Sequence, residues 1–434
     1  MMKLDTNRKF FNILILKSGL VGLLSGLVGA LFHTCLNQAN SWRNTFVDNI
    51  DGSMGLWLLF IVLTCAAVVL SVFLVRKFAP EAAGSGIPQV EITLKEDTKI
   101  HWQRVLPVKF VGGVLAVGSG LVLGREGPTI HMGGAFGDMV GTSHDSFQHH
   151  VLVAAGAAAG LAAAFNAPLA GLIFVTEEMR DRFEYNFQSL MAVIFASCIS
   201  IIVVQVLNGH QPDILNAAFQ APKLVTLPLF VILGVIFGLL GTLFNNLMLK
   251  GVLFSKKQKG RKPYMLALSI ALIIAVVGSL MPSAVGGGHG ALELALHHEF
   301  STTILLVLSF LRFLFTIVSY AVGTPGGIFA PMLAIGTFLG LWYGQLVVVF
   351  FPALVENSGI FAIGGMGALF AATVQAPITG IILIVEMTRS YELILPLMMT
   401  CLSASLVANR LGGKPIYSQL AKAGSMDPVV SKNA

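Results

Sequence analysis

Residues 154–177 read AAGAAAGLAAAFNAPLAGLIFVTE, and residues 363–386 read IGGMGALFAATVQAPITGIILIVE. The two stretches align without gaps, share an (Asn/Gln)-Ala-Pro-x-x-Gly core, and end in a glutamate, Glu177 or Glu386. This similarity predicts two homologous halves, an organisation that is common in transporters, where the substrate lies between the halves. A chance likeness of two alanine- and glycine-rich helices is the alternative. The sequence does not show whether the halves are inverted.

A glycine- and proline-containing segment precedes each copy of the repeat, and a third segment of the same form lies further upstream. Proline suits the start of a helix, since its missing N–H would have no partner there, and glycine lets the backbone approach a ligand. A helix start carries free N–H groups and about half a positive charge. Three such starts converging in a membrane predict an anion site, unless Gly and Pro are here simply frequent, as in many membrane helices. The segments are Gly84-Ser85-Gly86-Ile87-Pro88, Gly124-Arg125-Glu126-Gly127-Pro128 and Gly326-Gly327-Ile328-Phe329-Ala330-Pro331.

The composition places these segments in a membrane. Of 434 residues, 55% are apolar and only 11% charged, and the mean hydropathy is +0.82. Soluble domains carry about 25% charged residues. Long apolar runs without period-two alternation predict an all-α integral membrane protein rather than a β-barrel. The runs are about 10–36, 55–76, 105–123, 151–176, 188–207, 224–250, 264–282, 303–321, 333–352, 358–385 and 391–409.

Basic residues cluster at the ends of these runs and account for the net charge of +6 without a nucleic-acid partner. By the positive-inside rule they predict that both termini are cytoplasmic, so that the number of full crossings is even. A scattered basic surface is the alternative. The predicted organisation is a cytoplasmic N-terminus at 1–9, a transmembrane domain at 10–417 with halves of about 10–207 and 224–417, and a short cytoplasmic tail at 418–434. The basic residues are Lys3, Arg8, Lys9, Arg180, Arg182, Lys256, Lys257, Lys259, Arg261, Lys262, Arg410, Lys414, Lys422 and Lys432.

Two glutamates stand out as candidate proton carriers. Glu126 lies at a predicted helix start, where its carboxylate would compete with an anion for the same binding position. Protonation of the side chain would free that position for the anion. The alternative is that Glu126 only stabilises the helix start. The repeat pairs Glu177 with Glu386, which suggests a structural role for that pair. Glu178 is therefore the unpaired acid and the better candidate for proton transfer.

In this order, GSGIP, GREGP and GGIFAP, with a late tyrosine in GGKPIY, resemble the signature of the CLC family of chloride channels and chloride/proton antiporters. The resemblance covers residues from about 10 to 417 and is greatest to the bacterial antiporters, which lack cytoplasmic CBS domains. It implies a bundle of many tilted and broken helices, with two homologous, inverted halves. It also implies a homodimer in the bacterial inner membrane, with chloride and protons as substrates and no cofactor, catalytic residue or metal.

The resemblance assigns roles to individual residues. It implies that the Ser85 and Tyr417 hydroxyls and the Ile328 and Phe329 amides bind the central chloride. It also implies that Glu126 is the gate. Ser85 as a helix cap and Tyr417 as an interfacial anchor are the structural alternatives. The resemblance implies that Glu178 transfers protons on the internal side. Most channels of the family have an apolar residue at this position.

Several alternatives stay open at this point. A passive chloride channel of the same family differs from the antiporter mainly at Glu178. An intramembrane enzyme with Ser85 as nucleophile lacks an ordered serine–histidine pair or a metal signature. Lys109 and Arg312 either bias the field toward anions or pair with buried acids such as Glu91. Five histidines suggest a metal site, namely His131, His144, His149, His150 and His289, but no HExxH or CxxC motif accompanies them. His144, His149 and His150 lie in a polar connection between two apolar runs and are expected to be solvated.

Overall fold

The computed structural model describes residues 2–50, 52–141, 146–180, 186–209, 219, 221–297, 300–355 and 357–425, with side chains from 11 to 424 within these ranges. Eight helices form the first half: α1 (Met2–Asp48), α2 (Met54–Phe78), α3 (Ile87–Glu96), α4 (Trp102–Gly118), α5 (Glu126–Val140), α6 (Ser146–Phe165), α7 (Pro168–Glu178) and α8 (Phe187–Asn208). Eight more follow in the second half: α9 (Leu227–Lys256), α10 (Lys262–Leu280), α11 (His289–His297), α12 (Thr302–Ala321), α13 (Phe329–Phe350), α14 (Gly359–Val374), α15 (Pro377–Thr388) and α16 (Ile394–Arg410). A last helix, α17 (Ile416–Ser425), follows both halves.

The same pairs of helices pack together in both halves. Helix α1 packs against α6 and α8, just as α9 packs against α14 and α16, and α5 lies on α6 as α13 lies on α14. At these last two crossings the backbones touch through glycines, Gly133 against Gly156 and Gly336 against Gly365. Small residues of this kind let membrane helices approach closely. Because Gly156 and Gly365 are aligned positions of the repeat, the predicted duplication is confirmed.

Each copy of the repeat is two helices and not one. The break lies at Asn166 in the first copy and at Gln375 in the second, and both residues have left-handed backbones, with φ of 53° and 63°. The Ala-Pro pair that follows starts a new helix, because proline does not extend the i to i−4 hydrogen-bond ladder. The apolar runs 151–176 and 358–385, expected as single helices, are therefore each broken near the middle.

The two halves run in opposite directions, as helices α7 and α15 show. The Glu177 carboxylate, in the last turn of α7, accepts hydrogen bonds from the N–H groups of Ile378 and Thr379 at 3.1 and 2.6 Å, in the first turn of α15. Conversely, the Glu386 carboxylate near the end of α15 accepts N–H groups of the first turn of α7, Leu169 at 3.2 Å and Ala170 at 2.7 Å. The equivalent helices are thus antiparallel, and the expected structural role of the repeated glutamate is confirmed.

Nine helices in the described part of the chain are long and apolar enough to cross a membrane. Other helices, α3, α5, α7, α11 and α17, have 9 to 15 residues, whereas a crossing needs about 20. These short helices begin or end inside the bundle. Their backbone ends are tolerated there because they are surrounded by protein and not by lipid.

The ends of the chain are more helical than the sequence predicts. Helix α1 already begins at Met2, within the predicted N-terminal segment 1–9, and α17 runs through Ser425, within the predicted tail 418–434. The polar residues of both segments are compatible with helix, so hydropathy does not mark these ends. Residues 426–434, the rest of the predicted tail, lie outside the described residues.

Candidate anion and proton site

The three glycine- and proline-containing segments are joined by backbone hydrogen bonds. The N–H of Gly84 donates to the carbonyl of Thr324 at 3.0 Å, and the N–H of Gly326 donates to the carbonyl of Gly84 at 3.0 Å. Gly124 and Gly327 exchange two such bonds, of 2.6 and 2.8 Å. The starts of α3, α5 and α13 are therefore held side by side, as the shared motif form predicts.

Two glycines make this close approach possible. A Cβ atom on Gly127, in the first turn of α5, would collide with the Cα and Oγ atoms of Ser85. Gly86, the N-cap of α3, has φ of 92°, and a Cβ there would fall on the imidazole of His131. A side chain at either position would push the start of α3 away from α5.

The prolines occupy the first turn of each helix but not its first residue. Pro88 is the second residue of α3, whereas Pro128 and Pro331 are the third residues of α5 and α13. These positions still belong to the first turn, where N–H groups lack intrahelical partners. The amides of Ile328, the N-cap of α13, and of Phe329, its first residue, belong to the same unpaired set.

A fourth helix start, that of α17, joins the three predicted ones. Tyr417 is the second residue of α17. The next residue, Ser418, donates its hydroxyl to the Glu91 carboxylate of α3 at 3.2 Å, which fixes α17 against α3. The hydroxyl of Tyr320 accepts the N–H of Ser85 at 3.2 Å and so supports the GSGIP segment from α12.

The hydroxyls of Ser85 and Tyr417 are both fully buried, and neither has a hydrogen-bond partner among the described residues. A buried polar group without a partner costs about 1–3 kcal/mol. The alternatives from sequence are both wrong: Gly86 and not Ser85 is the N-cap of α3, with no side-chain cap bond, and a fully buried Tyr417 is not an interfacial anchor. Two unsatisfied donors at a helix start fit an anion as their acceptor.

Glu126 is the first residue of α5, and its side chain is fully buried. One carboxylate oxygen, Oε2, accepts the N–H of Ala330 in the first turn of α13 at 3.3 Å. The other, Oε1, lies 2.9 Å from Nε2 of His289 and 3.9 Å from Nε of Arg125. The carboxylate therefore takes an N–H group of a helix start, which is what an anion would do at this place.

The sequence indicated His289 only as one of five candidate metal ligands and not as a neighbour of Glu126. His289 is the first residue of α11, and its side chain is 24% exposed, so that it connects buried Glu126 with a more accessible region. Glu126 and His289 are 163 residues apart, and no spacing rule relates them. The only local signal is the Gly286-Gly287-Gly288 run before the histidine, the glycine-then-helix form of the three motifs.

Glu178 is the last residue of α7 and directly follows Glu177, which contacts α15, and its side chain is half-buried. Its carboxylate and that of Glu126 are both near enough to Tyr417 to act on the phenol electrostatically. Both candidate proton carriers therefore lie in the neighbourhood of the buried Tyr417 hydroxyl.

Two fully buried basic residues, Lys109 and Arg312, hold loops in place. Lys109 Nζ donates to the carbonyls of Ala82 and Gly84, at 3.1 and 2.9 Å. Arg312 donates to the carbonyls of Ser283, Val285 and Gly286, at 2.7, 3.2 and 2.9 Å. Each cation therefore fixes the loop before a short helix, that of Ser85 or that of His289. Of the two alternatives for these cations, pairing with buried acids is not what their hydrogen bonds show.

Of the histidines that were expected to be solvated, His149 is buried, whereas His150 is partly exposed beside an exposed carboxylate. His149 is only 8% exposed and bonds to Asp138, and His150 bonds to Asp97. The third, His144, lies outside the described residues. The expectation failed for His149 because the polar connection is short, so the first turn of α6 is already covered by α5.

Comparison with known proteins places this arrangement in a family. The model of the family described as voltage gated chloride channel matches residues 66–409. The chain is 47% identical over 429 residues to the H(+)/Cl(-) exchange transporter ClcA of Vibrio cholerae, covering 96% of this chain and 90% of the relative. The ClcA of Salmonella paratyphi B is 45% identical over 417 residues, covering 94% of this chain and 88% of the relative.

Solved structures agree with the sequence relatives. A slow cyanobacterial Cl-/H+ antiporter superposes with a TM-score of 0.90 at 37% identity, covering 95% of this chain and 98% of its own. A eukaryotic CLC transporter superposes with a TM-score of 0.80 at 24% identity over 95% of this chain, which shows the shared fold. The chain belongs to the voltage-gated chloride channel family.

Proposed function

We propose that this protein exchanges chloride for protons across the membrane as a secondary active transporter. The observation that carries the proposal is the position of Glu126: its carboxylate accepts an N–H group at the start of α13. An anion and this carboxylate compete for the same helix-start charge. Protonation of Glu126 weakens the attraction between its side chain and the start of α13, so that chloride can occupy this position.

The chloride itself is bound by groups that carry no full charge. Ser85 and Tyr417 offer hydroxyls, and Ile328 and Phe329 offer amides at the start of α13. A helix start contributes only about 0.3–2 kcal/mol to a nearby anion. Such donors offset part of the dehydration cost of chloride and still allow its release, which a transport cycle requires.

Protons reach the site through two acids on different sides. Glu126 takes protons from the face on which His289 lies, and Glu178 takes them from the opposite face. The names of the relatives and the carboxylate at position 178 favour coupled exchange over a passive channel. An enzyme is disfavoured because the Ser85 hydroxyl has no base within hydrogen-bond distance among the described residues.

The face of Glu178 is assigned to the cytoplasm. Helices α3 and α17 both lead away from the site, and α17 ends beside α9, where Lys256 donates to the carbonyl of Ala423 at 2.9 Å. On α1, Lys17 bonds to Gln148 at 2.8 Å, which puts this part of α1 near the start of α6, where His150 bonds to Asp97 at the end of α3. Both termini and the basic residues then share one face, in a bacterial inner membrane. Assembly as a homodimer is a prediction from the family resemblance.

Replacement of His289 should slow exchange and change its response to external pH. In His289→Gln, Glu126 keeps a polar neighbour but loses the imidazole, a group that can carry a proton, 2.9 Å from its carboxylate. We expect an exchange rate about tenfold lower, the equivalent of one lost charge-assisted hydrogen bond, with an unchanged chloride-to-proton ratio. The measurement is flux in liposomes at several external pH values. His297→Gln, at the other end of α11, is the control, and a wild-type pH profile in His289→Gln would exclude the role.

Exchange itself is tested by imposing a chloride gradient on liposomes that contain the purified protein and recording the pH of the lumen. Coupled exchange moves protons against the direction of chloride. Chloride flux without proton movement would leave only the passive-channel function.

A further inference from the structure

A cluster of metal-ligating side chains lies away from the anion site, on the face where the chain begins. It consists of Asp97, which directly follows α3, and of His149 and His150 in the first turns of α6. One ligand atom from each residue lies within 4.8 Å of those of the other two. His150 Nε2 is 3.1 Å and His149 Nδ1 is 3.8 Å from the same oxygen, Asp97 Oδ1.

The buried histidine of this cluster is held in one orientation by another carboxylate. His149 Nε2 lies 2.7 Å from Oδ1 of Asp138, and both side chains are nearly fully buried. A neutral His149 donates from Nε2 to Asp138, and its Nδ1 lone pair then faces the Asp97 carboxylate. Two acceptors face each other in that arrangement, which a cation between them would relieve. A carboxylate behind a histidine is also the usual support of a metal ligand.

The donor set selects the class of metal. Two imidazole nitrogens and one carboxylate oxygen suit zinc and its neighbours among the divalent transition metals, whereas magnesium and calcium prefer oxygen ligands alone. Tetrahedral zinc with bonds of about 2.0–2.1 Å needs donor atoms about 3.4 Å apart. The present distances approach this value, and the exposed Asp97 side chain, 60% accessible, needs only a small rotation to complete the set.

We propose that Asp97, His149 and His150 bind one divalent transition metal of the zinc class, with a water molecule in the remaining position, and that Asp138 orients His149. The bound metal joins the end of α3 to the start of α6. Since α3 begins at the Ser85 segment and Asp138 belongs to the helix that begins at Glu126, the metal fixes the far ends of two helices whose first turns form the anion site.

The test uses zinc ions alone and full-length protein without a polyhistidine tag, purified in detergent and treated with a chelator. Calorimetric titration should give one zinc per chain, and zinc should raise the unfolding temperature. In Asp97→Asn and His150→Ala, both accessible positions, affinity should fall at least about tenfold, and Asp138→Asn should weaken it about 10- to 100-fold.

The matched control is His101→Ala, which removes a histidine that pairs with a carboxylate, that of Glu81, at 3.2 Å elsewhere on the chain. This variant should bind zinc as the unmodified protein does. Absence of zinc binding to the unmodified protein would overturn the proposal. Equal affinity in Asp97→Asn, His150→Ala and the unmodified protein would also overturn it, because the zinc would then sit elsewhere.

Discussion

Glu126→Gln should reduce proton transport by roughly 100-fold, the contribution of one positioned proton-transfer group, while chloride still moves. Glutamine preserves the size of the side chain, and its oxygen can still accept the N–H of Ala330, which the carboxylate now accepts at 3.3 Å. It carries no titratable proton and no charge, so it neither competes with chloride as an anion nor leaves when the pH falls. The measurement is separate recording of chloride and proton flux in liposomes over a range of pH.

The control for this variant is Glu293→Gln, a partly buried acid on α11, the helix that carries His289. It removes one carboxylate from the same region without touching the helix starts. Its proton and chloride fluxes should match those of the unmodified protein. A wild-type pH response in Glu126→Gln would contradict the role of Glu126 as the competing anion.

Glu178→Gln should remove proton coupling and leave chloride flux. The side chain sits at the end of α7 and not at the helix starts that are proposed to bind chloride, so its loss should close the proton route but not the anion route. We again expect about a 100-fold reduction in proton flux. Simultaneous recording of both ions under a chloride gradient distinguishes this outcome from a general loss of activity.

The neighbouring residue supplies the matched control. Glu177→Gln removes the charge that binds the first turn of α15 through Ile378 and Thr379. It should lower the free energy of unfolding by about 1 kcal/mol and keep the ratio of chloride to protons. Retained coupling in Glu178→Gln, or lost coupling in a folded Glu177→Gln protein, would show that the two roles are assigned to the wrong glutamates.

The parts of the fold that were predictable from sequence depend on local chemistry or on the repeat. The aligned Gly156 and Gly365 and the glycine- and proline-containing helix starts each express a backbone requirement within a few residues. The structural role of Glu177 was also predictable, because the repeat pairs Glu177 with Glu386 and leaves Glu178 without an equivalent. Roles of Ser85, Tyr417 and Glu178 came from the family resemblance and stay predictions to be tested by mutation.

The missed features depend on contacts between distant segments. Hydropathy did not show that the runs around Asn166 and Gln375 are broken, because the flanking residues are apolar on both sides. Neither the approach of His289 to Glu126 nor that of His149 to Asp138 follows from any spacing in the sequence. An acidic partner was one alternative for Lys109, whereas its partners in the structure are backbone carbonyls. Every residue type has a backbone carbonyl, so no sequence pattern indicates this kind of partner.

The central claim is that chloride and protons move in opposite directions through one site. It is tested most directly by purified protein in liposomes, with an inward chloride gradient and the membrane potential held near zero by potassium and valinomycin. Voltage then does not drive a proton leak. The exchange mechanism predicts that chloride entry expels protons and raises the pH of the lumen. Chloride entry with an unchanged lumen pH would contradict it.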